Sequence, residues 1–173
     1  MKEELICAGF GGQGIMVLGK FLAQAIMKEG KFFVTWMPSY GAEVRGGTAH
    51  SMVVISDKEI ASPLVTHPTT AIVMNQPSLD KFLPKTKDLI ISNSTLAVCR
   101  EIPGNLEILE IPATEMATDL GDVRVANTIV LGAYLKKKKV ALLSTIAEVF
   151  RELFSGEVLK LNERALNLGF SFR

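Results

Sequence analysis

Three glycines, Gly9, Gly11 and Gly14, stand in the spacing G-x-G-x-x-G, after the apolar run of residues 5–8 and before a periodic one that starts at Ile15. A glycine turn between a strand and a helix lets the backbone approach a ligand. The unpaired amides near Gly12, Gln13 and Gly14 would favour an anion such as a phosphate. Gln13 places a polar side chain where packing alone needs none. The dinucleotide reading requires an acid at the end of the second strand, about 20 residues on, to hold the ribose hydroxyls. The sequence there is Val34, Thr35, Trp36, Met37 and Pro38, with no carboxylate. The same glycines would also suit a turn that only packs helix against strand.

A second unusual segment follows, Pro38-Ser39-Tyr40-Gly41-Ala42-Glu43-Val44-Arg45-Gly46-Gly47-Thr48. Arg45 can combine a planar guanidinium with the exposed amides of Gly46 and Gly47, a pairing suited to phosphate or carboxylate. Glu43 and Arg45 could equally pair with each other or with a neighbouring subunit. In a parallel sheet this segment lies at the same carboxyl edge as the glycine turn. The candidate cofactor-binding residues are therefore Gly11, Gly12, Gln13, Gly14, Tyr40, Glu43, Arg45, Gly46, Gly47 and Thr48, and no residue is assigned as catalytic.

Other reactive residue types form no constellation. His50 alternates with apolar Met52 and Val54 and reads as a packed or hydrogen-bonded histidine. His67 precedes Pro68 in a loop, and the two histidines have no carboxylates at ligand spacing, so no metal site is expected. Cys7 lies in an apolar strand and reads as a small hydrophobe. Ser39, Ser92 and Ser94 lack the G-x-S-x-G elbow. Lys136 to Lys139 close a helix, where a basic run complements the dipole and stays solvated unless an acidic partner meets it.

The elements that must position these residues follow from periodicity. A helix over residues 15–29 has Ile15, Leu18, Leu22, Ala25 and Ile26 on one face and Gly30 as its stop. Residues 31–37 are continuously β-rich, as for a strand covered on both faces, so residues 4–37 are expected to form a βαβ unit. Residues 38–47 read as a long loop. Further strands are expected at 48–56, 70–75, 89–92 and 106–111, and helices at 77–83, 123–139 and 155–168. Thr145 and Glu148 have the spacing of a capping box for a helix ending near Phe154. The fold class is α/β, a single-domain Rossmann-like open, mostly parallel sheet flanked by helices.

Composition narrows the function. With 173 residues, one domain is expected. A balance of 19 Lys+Arg against 18 Asp+Glu gives a net charge of +1 and argues against nucleic acid as a partner. At 48% apolar residues the chain should bury roughly two-thirds of its unfolded surface. It also suggests a surface that seeks partners. The start, MKEELICAGF, does not read as a signal peptide. The longest uncharged stretch, residues 60–79, carries Pro63, Pro68 and Pro77 with His67, Asn75 and Gln76, so no membrane span is expected. Two cysteines suit a reducing compartment, and the expected location is cytoplasmic. They are too few to ligate an iron-sulfur cluster.

The string Gly9-Phe10-Gly11-Gly12-Gln13-Gly14, the helix after it and Pro38 to Gly47 together resemble the gamma subunit of the 2-oxoacid:ferredoxin oxidoreductases. Asn75-Gln76-Pro77 and the helix from Asn127 to Gly132 are also similar to that family, so the resemblance runs over most of the chain. It implies that residues 1–173 form a pyruvate/2-ketoisovalerate oxidoreductase gamma-type catalytic domain. The Tyr40 to Gly47 wording looks most like the 2-oxoglutarate-type (2-oxoglutarate synthase) enzymes. The implied reaction converts a 2-oxoacid, coenzyme A and oxidised ferredoxin into an acyl-CoA, carbon dioxide and reduced ferredoxin. Thiamine diphosphate with Mg and the iron-sulfur clusters would sit on other subunits, with coenzyme A as co-substrate and no cofactor held by this chain alone. The implied partners are thiamine-binding alpha and beta chains, a ferredoxin-like delta chain as a further candidate, and ferredoxin as electron acceptor. The isolated chain is expected to be inactive. Two alternatives stay open: a stand-alone Rossmann-like nucleotide-binding oxidoreductase, and a purely architectural assembly subunit.

Overall fold

A computed structural model describes residues 1–39 and 49–173. Six strands form one sheet in the order β2-β3-β1-β4-β5-β6. They are β1 (Lys2–Gly9), β2 (Phe33–Ser39), β3 (Ala49–Ser56), β4 (Thr70–Val73), β5 (Leu89–Asn93) and β6 (Glu107–Ile111). β1, β4, β5 and β6 pair in parallel, and β3 pairs antiparallel with β1 on one side and β2 on the other. Five strands therefore share one direction and β3 alone opposes them. The helices are α1 (Ile15–Glu29), α2 (Gln76–Phe82), α3 (Ala113–Asp119), α4 (Ala126–Lys138), α5 (Leu143–Leu153) and α6 (Gly156–Ser171).

Alternation along β1 feeds two hydrophobic layers. Leu5 and Cys7 face a core built with Ile15, Leu18 and Leu22 of α1, Ile129 and Tyr134 of α4, Phe150 of α5 and Leu166 of α6. Ile6 and Ala8 face the other, smaller core, with Leu79 and Phe82 of α2 and with Val65, Ala97 and Leu106 from irregular segments. Both faces are covered, as a mainly parallel sheet requires. The tightest helix contact is between α4 and α6. A Cβ on Gly132 would strike the Leu166 carbonyl, and one on Gly169 would strike the Ile129 carbonyl.

Several expectations need correction. Residues 4–37 do not form a βαβ unit of neighbouring strands, because β3 lies between β1 and β2. The fully apolar Met52–Ile55 run is the better interior strand, being almost wholly buried, whereas β2 is the edge, half-buried throughout with Phe33 51% exposed. The strand covered on both faces is thus β3. Thr145 does not cap α5. The helix starts at Leu143 with no side-chain cap, and Thr145 is buried inside it. Its entry is held instead by Glu29, whose Oε1 accepts from Leu142 N at 2.7 Å. α3 has no counterpart among the expected elements, since its buried side is only Ala113 and Ala117. The Lys136 to Lys139 run is exposed as expected except at half-buried Lys138, and it also finds partners: Lys136 Nζ donates to Phe172 O at 2.7 Å, Lys137 pairs with Glu107, and Lys138 pairs with buried Glu3 at 3.0 Å. The expected α1 spans residues 15–29 as observed, and its C-cap Gly30 is left-handed with its N–H on Ile26 O.

Gly169→Ala tests the helix crossing. In an exposed helix this change stabilises by about 1 kcal/mol through propensity. Here the added methyl meets backbone, so chemical denaturation should show destabilisation by about 3 kcal/mol. A neutral or stabilising result would refute the close approach.

Candidate functional site

The parallel strands and β2 all end at one sheet edge, and β3 starts there. Gly9 pairs with Ala49, and Ser39 with His50. Tyr40, Glu43, Arg45, Gly46, Gly47 and Thr48 lie outside the described residues, but both flanks of their segment, Ser39 and Ala49, stand at the edge where the glycine turn leaves β1. The expected juxtaposition of the two segments at one edge thus holds for those flanks. It arises because β2 and β1 both oppose β3, not because they are neighbours.

At the end of β1 the chain turns towards the first layer as α1, while after β4 it turns towards the second as α2. Such a reversal between adjacent strands opens a crevice in doubly wound sheets. Backbone closes its lower part, with Met74 N donating to Ala8 O at 2.9 Å. Gln13 fills the upper part. Its Oε1 accepts from Phe10 N at 2.7 Å and from Asn75 Nδ2 at 3.1 Å, and its Nε2 donates to Met74 O at 3.1 Å. A Cβ on Gly9 would stand 2.6 Å from that same Gln13 oxygen. The space over the first glycine of the turn is occupied here by the chain's own carboxamide.

Gly14 is the N-cap of α1, left-handed at φ 71°. A Cβ there would also stand 2.9 Å from Asn127 Cγ. Asn127, at the start of α4, donates from Nδ2 to Gly14 O at 3.1 Å, and its Oδ1 accepts from Thr128 N at 2.8 Å. Thr128 Oγ1 then donates to Asn162 Oδ1 of α6 at 2.9 Å. The first turn of α1 carries no acid and no side-chain cap, so its positive end meets no carboxylate of its own turn. Gly11 and Gly12 are exposed. Of the predicted residues on this turn, Gly11 and Gly12 are exposed, whereas the side chain of Gln13 bonds inward and its amide, expected to be unpaired, donates to Phe10 O at 3.2 Å.

Sequence reasoning gave no role to Asn75 and Asn127. Asn75 had a local signal, an Asn ahead of a helix with proline in its first turn, and its Oδ1 does accept from Ser78 N at 2.9 Å. Asn127 had only its polarity within the apolar run from Val125 to Leu135. Beside Asn75, α2 and the segment after β5 enclose a cleft of about 610 Å³ lined by Gln76, Asp80, Val98, Cys99, Arg100 and Glu101.

The other reactive residues are built into the fold. The His50 ring packs edge-on to Phe82, centroids 5.5 Å apart. Burial in β1 pushes the Cys7 thiol up to about 12, against a smaller opposing effect of the hydrogen bond to Ser51. Among the described residues, no group of three or more His, Cys, Asp or Glu is arranged to hold a metal ion. Among the described residues, no helix is long and apolar enough to cross a membrane.

Residues 4–172 match the sequence profile described as pyruvate ferredoxin/flavodoxin oxidoreductase. The chain belongs to that family. It is 39% identical over 170 residues to the ketoisovalerate oxidoreductase subunit VorA of Methanothermobacter thermautotrophicus, covering 94% of this chain and 34% of the relative. It thus spans about a third of that relative's length. It is 33% identical over 143 residues to the 2-oxoglutarate synthase subunit KorC of Methanothermobacter marburgensis, covering 77% of this chain and 76% of the relative. The crystal structure of the keto/oxoacid ferredoxin oxidoreductase gamma subunit from Geobacter sulfurreducens PCA superposes with a TM-score of 0.82 at 25% identity, covering 97% of this chain and 96% of that one. The resemblance drawn from the glycine turn and the Pro38 to Gly47 segment is therefore correct at the level of the oxidoreductase family and its gamma-type unit.

The cysteines of this family member should differ in reactivity. Alkylation needs the thiolate, which burial disfavours. At pH 8 a thiol-alkylating reagent should modify half-buried Cys99, whose thiol is also shifted upward by desolvation, slowly, and Cys7 only after denaturation. Mass spectrometry of the labelled native chain checks this, and native labelling of Cys7 would contradict the burial of β1.

Proposed function

We propose that this chain is the gamma-type unit of a multisubunit 2-oxoacid:ferredoxin oxidoreductase and forms one wall of its active site. The reading is carried by the family match across residues 4–172, with both characteristic segments starting from one sheet edge. In the reaction, the bond between the carboxylate and the carbonyl carbon of the 2-oxoacid breaks and carbon dioxide leaves. The acyl group joins the sulfur of coenzyme A, the thiol proton is released, and an electron pair passes to ferredoxin.

Thiamine diphosphate with Mg supplies the carbanion chemistry of such a reaction, and iron-sulfur clusters conduct the electrons. The two thiols do not fit a cluster: Cys7 is sealed in the core and Cys99 has no second thiol beside it. On the family reading the clusters and the thiamine diphosphate are assigned to alpha and beta chains and a ferredoxin-like chain, with ferredoxin as acceptor. The contribution of this chain is electrostatic and positional. The outward amides around Gly11 and Gly12, the positive end of α1 and the guanidinium of Arg45 would meet an anionic group of coenzyme A or of the 2-oxoacid. Tyr40, Glu43, Gly46, Gly47 and Thr48 belong to the same wall. Cytoplasmic location goes with this reading.

A stand-alone dinucleotide enzyme is disfavoured by β3, which replaces the parallel neighbour whose end would carry the ribose acid. The specific substrate has two candidates. The wording of residues 40–47 supports 2-oxoglutarate, and the higher identity to the ketoisovalerate relative supports the branched 2-oxoacid.

In the assembled enzyme Arg45→Ala should raise KM for coenzyme A or for the 2-oxoacid about tenfold, as expected for loss of a charge-assisted contact. Unchanged constants for both would remove the wall from the site. Ferredoxin reduction by the assembled enzyme should show a higher kcat/KM with 2-oxoglutarate than with ketoisovalerate; the reverse order would assign the branched substrate.

A further inference from the structure

We propose that Asn127 is a positioning residue: its side-chain amide holds the carbonyl of Gly14 and thereby aims the amides of the glycine turn at the anionic ligand. The proposal rests on the reading of this edge as a ligand-facing wall. A turn containing Gly11, Gly12 and Gly14 has more accessible backbone conformations than any other sequence. Gly12 at φ 94° and Gly14 at φ 71° hold two of its residues in the left-handed region. Amides that are to recognise an anion must nevertheless point in fixed directions, and fixed directions require supporting contacts from rigid elements.

The turn is held from both sides. On the β4 side Gln13 and Asn75 bond its first half to Met74 O and to the N-cap of α2. On the α4 side, among the described residues, Asn127 holds Gly14, and it is 7% exposed. Gly14 O also accepts from Leu18 N at 2.9 Å, so the Asn127 bond and the first α1 hydrogen bond fix one carbonyl together. Asn127 is in turn oriented through its Oδ1 by Thr128 N at 2.8 Å, and Thr128 by Asn162 at 2.9 Å. Bonds among buried amides of this kind are costly to leave half-made, which is why the orientation is unique. Asn127 touches no ligand in this account and carries no chemistry.

Two variants separate positioning from folding. Asn127→Ala removes both bonds, whereas Asn127→Asp keeps the acceptor for Thr128 N and replaces the donor to Gly14 O by a carboxylate oxygen, whose added charge makes the amide resonances of the turn the deciding readout for that variant. In the assembled enzyme both should raise the KM of the same ligand that responds to Arg45→Ala, by about fivefold as for one lost hydrogen bond, with kcat unchanged. In the full chain alone, both should displace the backbone amide resonances of Gly12 and Gly14. A fall in kcat with KM unchanged, or amide resonances that stay in place, would overturn the proposal. A raised KM in Arg45→Ala without one in the folded Asn127→Asp would overturn it too, while leaving the wall intact. Unchanged KM values in all three variants would remove the wall itself, and the positioning role with it.

Discussion

The carboxamide of Gln13, seated over Gly9, is the contact on which the glycine edge of the sheet depends. β1 and β4 are parallel neighbours whose following helices leave towards opposite faces. Past the Met74 N to Ala8 O bond, the strand ladder no longer closes the gap where they part. Gln13 closes it with one acceptor atom shared by Phe10 N and Asn75 Nδ2 and one donor on Met74 O. Gly9 must be a glycine for that oxygen to fit. The motif spacing is that of a nucleotide-binding turn, yet its first glycine serves an internal plug. What remains available to a ligand is the outer surface of the turn.

The antiparallel β3 supplies the other constraint. By taking the place beside β1 it displaces β2 to the edge, where Pro38 lacks only a hydrogen bond that an edge strand can spare. Because β3 reverses direction once, the ends of β1 and β2 still face the same way. The opposite end of the sheet is held by charge: Lys138 on Glu3, Lys137 on Glu107, and Tyr134 Oη donating to Glu3 Oε1 at 3.4 Å. One end is thus tied by buried and bridging ion pairs, and the other, among the described residues, by the neutral side-chain amides of Gln13, Asn75 and Asn127 around a glycine turn.

Elements with a strong local signature were legible. α1 has a clean apolar face and a glycine stop, and β1, β4 and β5 are short apolar runs between turn residues, so their existence and approximate limits were readable. Strand order was not, because 31–37 and 48–56 are both apolar and β-rich, and which of them is interior depends on pairing with β1 rather than on either segment. Pro38 was a local hint of an edge strand. α3 was missed because two alanines make too faint a stripe, and α5 was started late because its real entry bond comes from Glu29, more than a hundred residues away. The same separation explains the site. Glycine spacing is local and was seen, while the inward roles of Gln13 and Asn127 depend on partners 61 and 113 residues distant, and their sequence signal is no more than a polar residue in an unexpected place.

The two core layers also bear on how this unit is used in its family. It makes up nearly all of the Geobacter gamma chain and about a third of the ketoisovalerate relative. A fold that works in both settings has to close its core without help from a covalent neighbour. β1 meets that demand, with residues 5–8 at most 1% exposed between two internal layers. The layers are unequal, however. The first is covered by long helices and by the close α4–α6 crossing, and the second by the short α2 and irregular segments whose outer side bears Leu64, Leu96, Val98 and Ile102, all more than 40% exposed. Core closure and surface covering are therefore separate problems in this chain, the first solved by the strands and the second left open on the side of the short α2. That division is compatible with both lengths of polypeptide that carry this fold.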